Sequence, residues 1–189
     1  EISPNPGDRI VLLGDLIDRG PDSRMVIRIA KERGDTFVVR GNHEYWALLG
    51  FEGESEISWA PNLDWLVNGG KQCLDSYSNS EGELNHEDWI RDLLWMAQMP
   101  HILVLDDWVL VHAGLDPKKS LDEQEEKELL WIREVFHNAK KPVDPGRAVV
   151  IGHSITHTVL GQSIGEIGQS EYRLEDGRAL WFGIDTGAC

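Results

Sequence analysis

Ile10-Val11-Leu12-Leu13-Gly14-Asp15-Leu16-Ile17-Asp18-Arg19-Gly20 and Phe37-Val38-Val39-Arg40-Gly41-Asn42-His43-Glu44 share one layout. Each opens on a short, continuous apolar run, the mark of a buried parallel strand. Each then meets a glycine and ends in carboxylate, amide, imidazole or guanidinium side chains. Between them Asp22 or Ser23 can cap a helix carrying Met25, Val26, Ile29 and Ala30 on one expected face, with Gly34 as its stop signal. The unit is strand, helix, strand, and in open α/β sheets ligands bind beyond the carboxyl ends of strands. Both polar clusters fall there.

The same pattern recurs downstream. Ile102-Leu103-Val104-Leu105 and Trp108-Val109-Leu110-Val111 flank Asp106-Asp107 as a hairpin, and the second strand runs straight into His112-Ala113-Gly114. Ala148-Val149-Val150-Ile151 ends at Gly152-His153, and Tyr172-Arg173-Leu174 and Leu180-Trp181-Phe182 flank Asp176-Gly177 as a second hairpin. Glu44 to Leu49 reads as a short helix. Between the two halves, about 51–100 reads as a helical, cap-like segment. It comprises an acidic surface loop at 51–58, two helical fragments over Asn62 to Tyr77 broken at Gly69-Gly70, and a helix over Asp88 to Met99 with Trp89, Leu93 and Met96 on one face. Asp122 to Glu128 reads as a solvated helical approach to Leu129-Leu130-Trp131-Ile132-Arg133.

With 189 residues, 41% hydrophobic and 27% charged, the chain suits one domain with a real core. No run spans a bilayer, and the start Glu-Ile-Ser-Pro carries no secretory pattern and no Met. A formal net charge of −15, from 33 Asp and Glu against 18 Lys and Arg, argues against a nucleic-acid or anionic-membrane partner. The same field repels phosphate esters, so a site for them needs bound cations and local arginines to reverse it. Cys73 and Cys189 lack metal-type spacing and read as inert, reduced thiols.

Four strand ends therefore deliver Asp15, Asn42, His112 and His153 to loops where the backbone can turn toward a common point. Carboxylate, amide oxygen and neutral imidazole suit Mn, Fe or Zn, and one carboxylate can bridge two ions. Such a pair, about 3.5–4 Å apart, can hold a hydroxide for in-line attack on phosphorus. His43 adjoins Asn42 and is placed to protonate the leaving oxygen, with Asp18 fixing its tautomer. Arg19 and Arg133 are the candidates to grip phosphate oxygens.

Six segments in order carry a wider likeness: GDLIDRGP from Gly14, RGNHE from Arg40, VHAGLDP from Val111, LLWIRE from Leu129, IGHS from Ile151 and IDTGA from Ile184. The chain resembles the phosphoprotein phosphatase family of metallophosphoesterases, in its bacterial and phage branch. That resemblance implies an α/β (α+β) fold of calcineurin type, a β-sandwich flanked by helices. It implies two divalent ions, Mn2+ first and Fe or Zn as options, with Asp15 bridging them and Asn42, His112 and His153 completing the second. His43 and Asp18 match the family's acid and its orienting partner. Arg19 and Arg133 match its phosphate-binding arginines, with Asn42 also facing the phosphate. A cytoplasmic hydrolase of phosphoserine or phosphothreonine in proteins, or of a small phosphoester, is the implied function.

The family also opens with G-D-x-H-G on a preceding strand, which this sequence does not contain, and its members continue past IDTGA. The resemblance therefore implies a fragment trimmed at both ends, lacking the first strand and the last one or two. On that expectation Asp15 alone serves the first metal and hydrolysis is weak until the missing segment is restored. A phosphate-binding fragment without catalysis is one alternative. The other is a symmetrical dinucleoside-tetraphosphate hydrolase, which shares the scaffold but tends to carry Ala at the position of Asp18 and Asp at that of Glu44.

Singly, each nominated residue could cap a helix or close a turn; their order and spacing argue for a shared site. Arg133 could equally be an exposed charge on an amphipathic turn. His157 follows His153 by four residues, but the segment reads as a loop, where that spacing has no facial meaning. His86, His101 and His137 read as structural, and Trp59, Trp65, Trp89, Trp95 and Trp131 as packing of the helical segment.

Overall fold

Ile10–Leu12 (β1) and Thr36–Val38 (β2) are parallel neighbours, with Ile10 opposite Thr36 and Leu12 opposite Val38. The structure, a computed structural model, describes residues 5, 7–50 and 59–187. The chain divides into two units, Glu1–Met99 and Pro100–Cys189. The expected acidic loop at 51–58, and Cys189, lie outside the described residues.

In the first unit the helix between the strands is Ser23–Glu32 (α1), capped by Asp22, whose carboxylate accepts from the Met25 amide at 3.0 Å. Its buried face differs from the expected one. Ser23, Ile27 and Ala30 point inward, whereas Met25, Val26 and Ile29 are 37%, 41% and 51% exposed. The cause is Ser23: its hydroxyl accepts the Asp18 amide at 3.0 Å, and fixing that residue inward carries the i+4 and i+7 positions with it.

Asn42–Leu48 (α2) follows β2 directly, so Asn42 and His43 form its first turn. Leu63–Trp65 (α3) and Lys71–Ser76 (α4) are joined by a π-helical turn, Leu66–Gly70, broken at Gly69 with φ 121°. The break expected at Gly69-Gly70 is thus a kink within one run. His86–Met96 (α5) starts two residues before its expected position, capped by Asn85, and buries Trp89, Leu93 and Met96 as expected.

Trp65 and Trp89 stack at 5.7 Å and 11°, with Trp59 and Tyr77 edge-on to Trp89 at 5.3 and 5.0 Å. Such pairs contribute roughly 0.5–1.5 kcal/mol each beyond their buried area. Ile17, Ile27, Val38 and Ala47 belong to the same core, so these helices share their packing with the strand–helix–strand unit. Cys73 is buried there, and burial pushes its thiol far above the ordinary range.

The second unit is a five-stranded sheet. Its strands are Ile102–Val104 (β3), Trp108–Val111 (β4), Ala148–Ile151 (β5), Gly168–Gln169 (β6) and Trp181–Gly183 (β7), in the spatial order β3-β4-β5-β7-β6. β3 and β4 form the expected hairpin, β4–β5 and β5–β7 are parallel, and β6–β7 is antiparallel. The expected second hairpin is smaller than its apolar runs suggest. The turn at Asp176-Gly177 closes with one bridge, Arg173 to Ala179, while β7 pairs with β5 on one side and β6 on the other.

Glu126–Trp131 (α6) buries Leu129 and Leu130, and Glu134–His137 (α7) buries Phe136. Trp131 closes α6 and is half-buried. The short helix Thr156–Val159 (α8) contains His157, where a loop was expected, but His153 lies before it, so the two share no helix face. Among the described residues no helix is long and apolar enough to cross a membrane.

Candidate functional site

The loop after β1 is held in a conformation that costs energy. Asp15, Asp18 and Arg19 adopt φ of 56°, 80° and 57°, a region L-residues avoid. Left-handed backbone of this kind persists where surrounding contacts over-determine it, and it clusters at ligand sites. Glu44, wholly buried, supplies that restraint. Its Oε2 accepts the amides of Asp15 at 2.9 Å and Gly41 at 2.8 Å, and its Oε1 accepts Leu16 at 2.6 Å. One carboxylate thus caps α2 and pins the loop. A Cβ on Gly41 would stand 2.3 Å from Asp15 Oδ1, so only glycine permits the approach. Asp15 is exposed, and its Oδ1 accepts the His43 amide at 3.3 Å.

His43 and Asp18 are in direct contact, Nδ1 to Oδ2 at 2.5 Å, with both side chains almost fully buried. Burial raises the Asp18 carboxyl above its ordinary value, against the pull of the His43 bond. Burial works against the His43 cation, but the Asp18 hydrogen bond and the charges of Asp15 and Asp18 outweigh it, and its pKa rises. On the other side of the ring, Arg19 Nη2 lies 3.1 Å from Nε2. Asn42, 4% exposed, precedes His43 on the same helix turn. The first unit therefore brings Asp15, Asp18, Arg19, Asn42 and His43 into one locality.

In the second unit, β4 and β5 are in register with Val111 opposite Ile151, so each strand releases a histidine at the same level. His112 is buried and His153 half-buried, their rings 4.9 Å apart, and a ring nitrogen of each lies within 4.8 Å of the other. That spacing and donor type suit one transition-metal or zinc ion. His153 has φ 57°, a fourth left-handed residue among the candidates. The Gly152 amide donates to the His112 carbonyl at 2.8 Å, and the Thr156 amide to Asp185 O at 2.8 Å, fastening the turn on both sides. Arg133, exposed, reaches the His153 carbonyl at 3.5 Å and no closer.

Two contributors escape a reading of the sequence. Glu44 sits three residues after Gly41, a capping signal, but its hold on Asp15 and Leu16 spans 29 and 28 residues. Trp65 reads as core, yet its indole N–H donates to Asp18 Oδ2 at 2.8 Å. No local signal announces such a bond.

The calcineurin-like phosphoesterase profile matches residues 1–181. Serine/threonine-protein phosphatase 2 of Escherichia coli is 33% identical over 157 residues, 77% of this chain and 66% of that protein. A symmetrical bis(5'-nucleosyl)-tetraphosphatase of Nitrosospira multiformis is 34% identical over 117 residues, 61% of this chain and 36% of that protein. Among solved structures, a Sphaerobacter thermophilus metallophosphoesterase matches with TM-score 0.51 at 16% identity, covering 95% of this chain and 66% of that one. A Saccharomyces cerevisiae serine/threonine phosphatase with similarity to human PP5 matches with TM-score 0.55 at 15% identity, covering 96% and 58%. At those identities the two structures show the fold alone, the mixed α/β arrangement expected from the strand order. The chain spans between about a third and two thirds of the length of these relatives.

Proposed function

We propose that this chain, which belongs to the calcineurin-like phosphoesterase family, catalyses metal-dependent hydrolysis of phosphate monoesters, with phosphoserine and phosphothreonine in proteins as its substrates. The observation that carries the reading is the buried Asp18–His43 pair with Arg19 against Nε2, beside the strained Asp15 loop. Asp15, Asn42, His112 and His153 would hold two divalent ions, Mn2+ in the first place. When bound, these ions supply Lewis-acid charge to the phosphoryl group and to the water that attacks it.

The chain's own residues do the rest. Arg19 and Arg133 bind equatorial phosphoryl oxygens and offset the protein's negative field. Asn42 orients the phosphate from the start of α2. His43 gives a proton from Nε2 to the leaving alcohol oxygen, while Asp18 holds Nδ1–H and stabilises the imidazolium. A guanidinium only donates, so Nε2 carries no proton while Arg19 faces it. Phosphate that draws Arg19 onto its own oxygens frees Nε2 to take up from solvent the proton that it then gives to the leaving oxygen. The displacement is a single step with no phosphoenzyme, and a cytoplasmic setting completes the reading.

The Nitrosospira relative favours a second reading, cleavage of a dinucleoside tetraphosphate. Asp18 and Glu44 incline the balance to the protein phosphatase side, because the tetraphosphate hydrolases tend to carry Ala and Asp at those positions; in this chain both residues are engaged in hydrogen bonds of the site. Incubation with Mn2+ and either a phosphothreonine peptide or diadenosine tetraphosphate separates them. We expect inorganic phosphate from the peptide, abolished by EDTA. ADP release from the dinucleotide alone would move the assignment to the second reading. No turnover of either, with inorganic phosphate bound, would leave a phosphate-binding fragment.

A further inference from the structure

We propose that Trp65 is a positioning residue for the Asp18–His43 pair, its indole N–H fixing the carboxylate in the orientation that His43 requires. The inference rests on the assignment of His43 as acid and Asp18 as its partner. Asp18 Oδ2 receives two donors, His43 Nδ1 at 2.5 Å and Trp65 Nε1 at 2.8 Å, while Oδ1 is buried with no partner among the described residues. A carboxylate held through one oxygen can swing about its Cβ–Cγ bond unless a second, rigid donor fixes the plane. Trp65 is such a donor. Its ring is fully buried, stacked on Trp89, edge-on to Trp59 at 5.7 Å, and packed under Gly70, where a Cβ would come within 2.5 Å of it.

The same helical run also sets Arg19. Gly69, at φ 121°, lets its backbone approach so closely that a Cβ there would stand 2.7 Å from Arg19 Cγ, and its carbonyl accepts the Arg19 amide at 3.2 Å. The residues from Trp65 to Gly70 thus back the loop that carries Asp18 and Arg19. A plain structural role is the competing explanation, since a buried indole N–H needs an acceptor. The neighbouring stack member answers it: Trp89 Nε1 is equally buried and has no partner among the described residues. Among the described residues a neighbouring buried indole N–H stands without an acceptor, so the need to satisfy one does not by itself aim Trp65 at the carboxylate.

Trp65→Phe keeps the ring and removes only the donor, and Trp89→Phe is the matched control. With both variants folded to wild-type circular dichroism, kcat on the phosphopeptide should fall at least about tenfold for Trp65→Phe with KM unchanged, a size set by losing a hydrogen bond to a charged group. Trp89→Phe should leave kcat within about twofold. In an Asp18→Asn background, Trp65→Phe should add little, because the group it positions is gone.

A second readout needs no turnover. The His43 Nδ1 proton, hydrogen-bonded to a buried carboxylate and shielded from exchange, should give a downfield NMR resonance that shifts or vanishes in Trp65→Phe but not in Trp89→Phe. An unchanged resonance in folded Trp65→Phe would overturn the inference, and so would equal kcat losses in the two variants. A wild-type chain with no turnover but with that resonance sensitive to Trp65 would sink the hydrolase reading and keep the positioning role.

Discussion

His43 is held on both ring nitrogens, by Asp18 at Nδ1 and by Arg19 at Nε2, so its two faces have different partners for different purposes. If it is the proton donor, His43→Asn should lower kcat by about 10²–10⁴ while metal content stays at the wild-type value. Loss of bound metal in that variant, measured by elemental analysis, would show that His43 is a ligand instead. At this scale the sequence is informative where the chemistry is local. Asp15, Asp18, Arg19, Asn42 and His43 follow two strand ends in a recognisable spelling, and the structure brings them together. Glu44 and Trp65 were not legible, since each acts through a hydrogen bond to residues 28 to 47 positions away. A buried Trp has the same sequence signature whether its N–H is satisfied or bare.

Elements follow the same division. The strand runs ending in His112 and His153 are apolar throughout, and β4 and β5 are where those runs predict. The face of α1 was not legible because Met25, Val26 and Ile29 make a plausible stripe, and only the Ser23 bond to the Asp18 amide decides against it. β6 has two residues, one a glycine, and no pattern could mark it.

His137 shows how an element boundary carries pH dependence. It ends α7 with its ring 5.4 Å from that of Trp181 and Nε2 buried without a partner among the described residues, and burial, with the Arg133 charge, lowers its pKa to about 4. Unfolded, it titrates near 6.5, so between about 6.5 and 4 the unfolded chain binds the additional proton and stability falls as pH falls. The melting temperature of the wild type should therefore drop relative to His137→Gln on going from pH 7 to pH 4. A constant difference across that range would show that the imidazole is not held neutral.

For the whole molecule the central question is charge. If a chain of net −15 hydrolyses anionic esters as proposed, it must concentrate cations, and the proposed ligands are Asp15, Asn42, His112 and His153. The His112–His153 spacing fits one shared ion. The most direct test is anomalous diffraction from crystals grown with Mn2+. The account predicts anomalous peaks within coordination distance of the Asp15 carboxylate, the Asn42 amide oxygen and the His112 and His153 imidazoles. Peaks elsewhere, or Mn2+ present in solution with no peak at those four side chains, would contradict it.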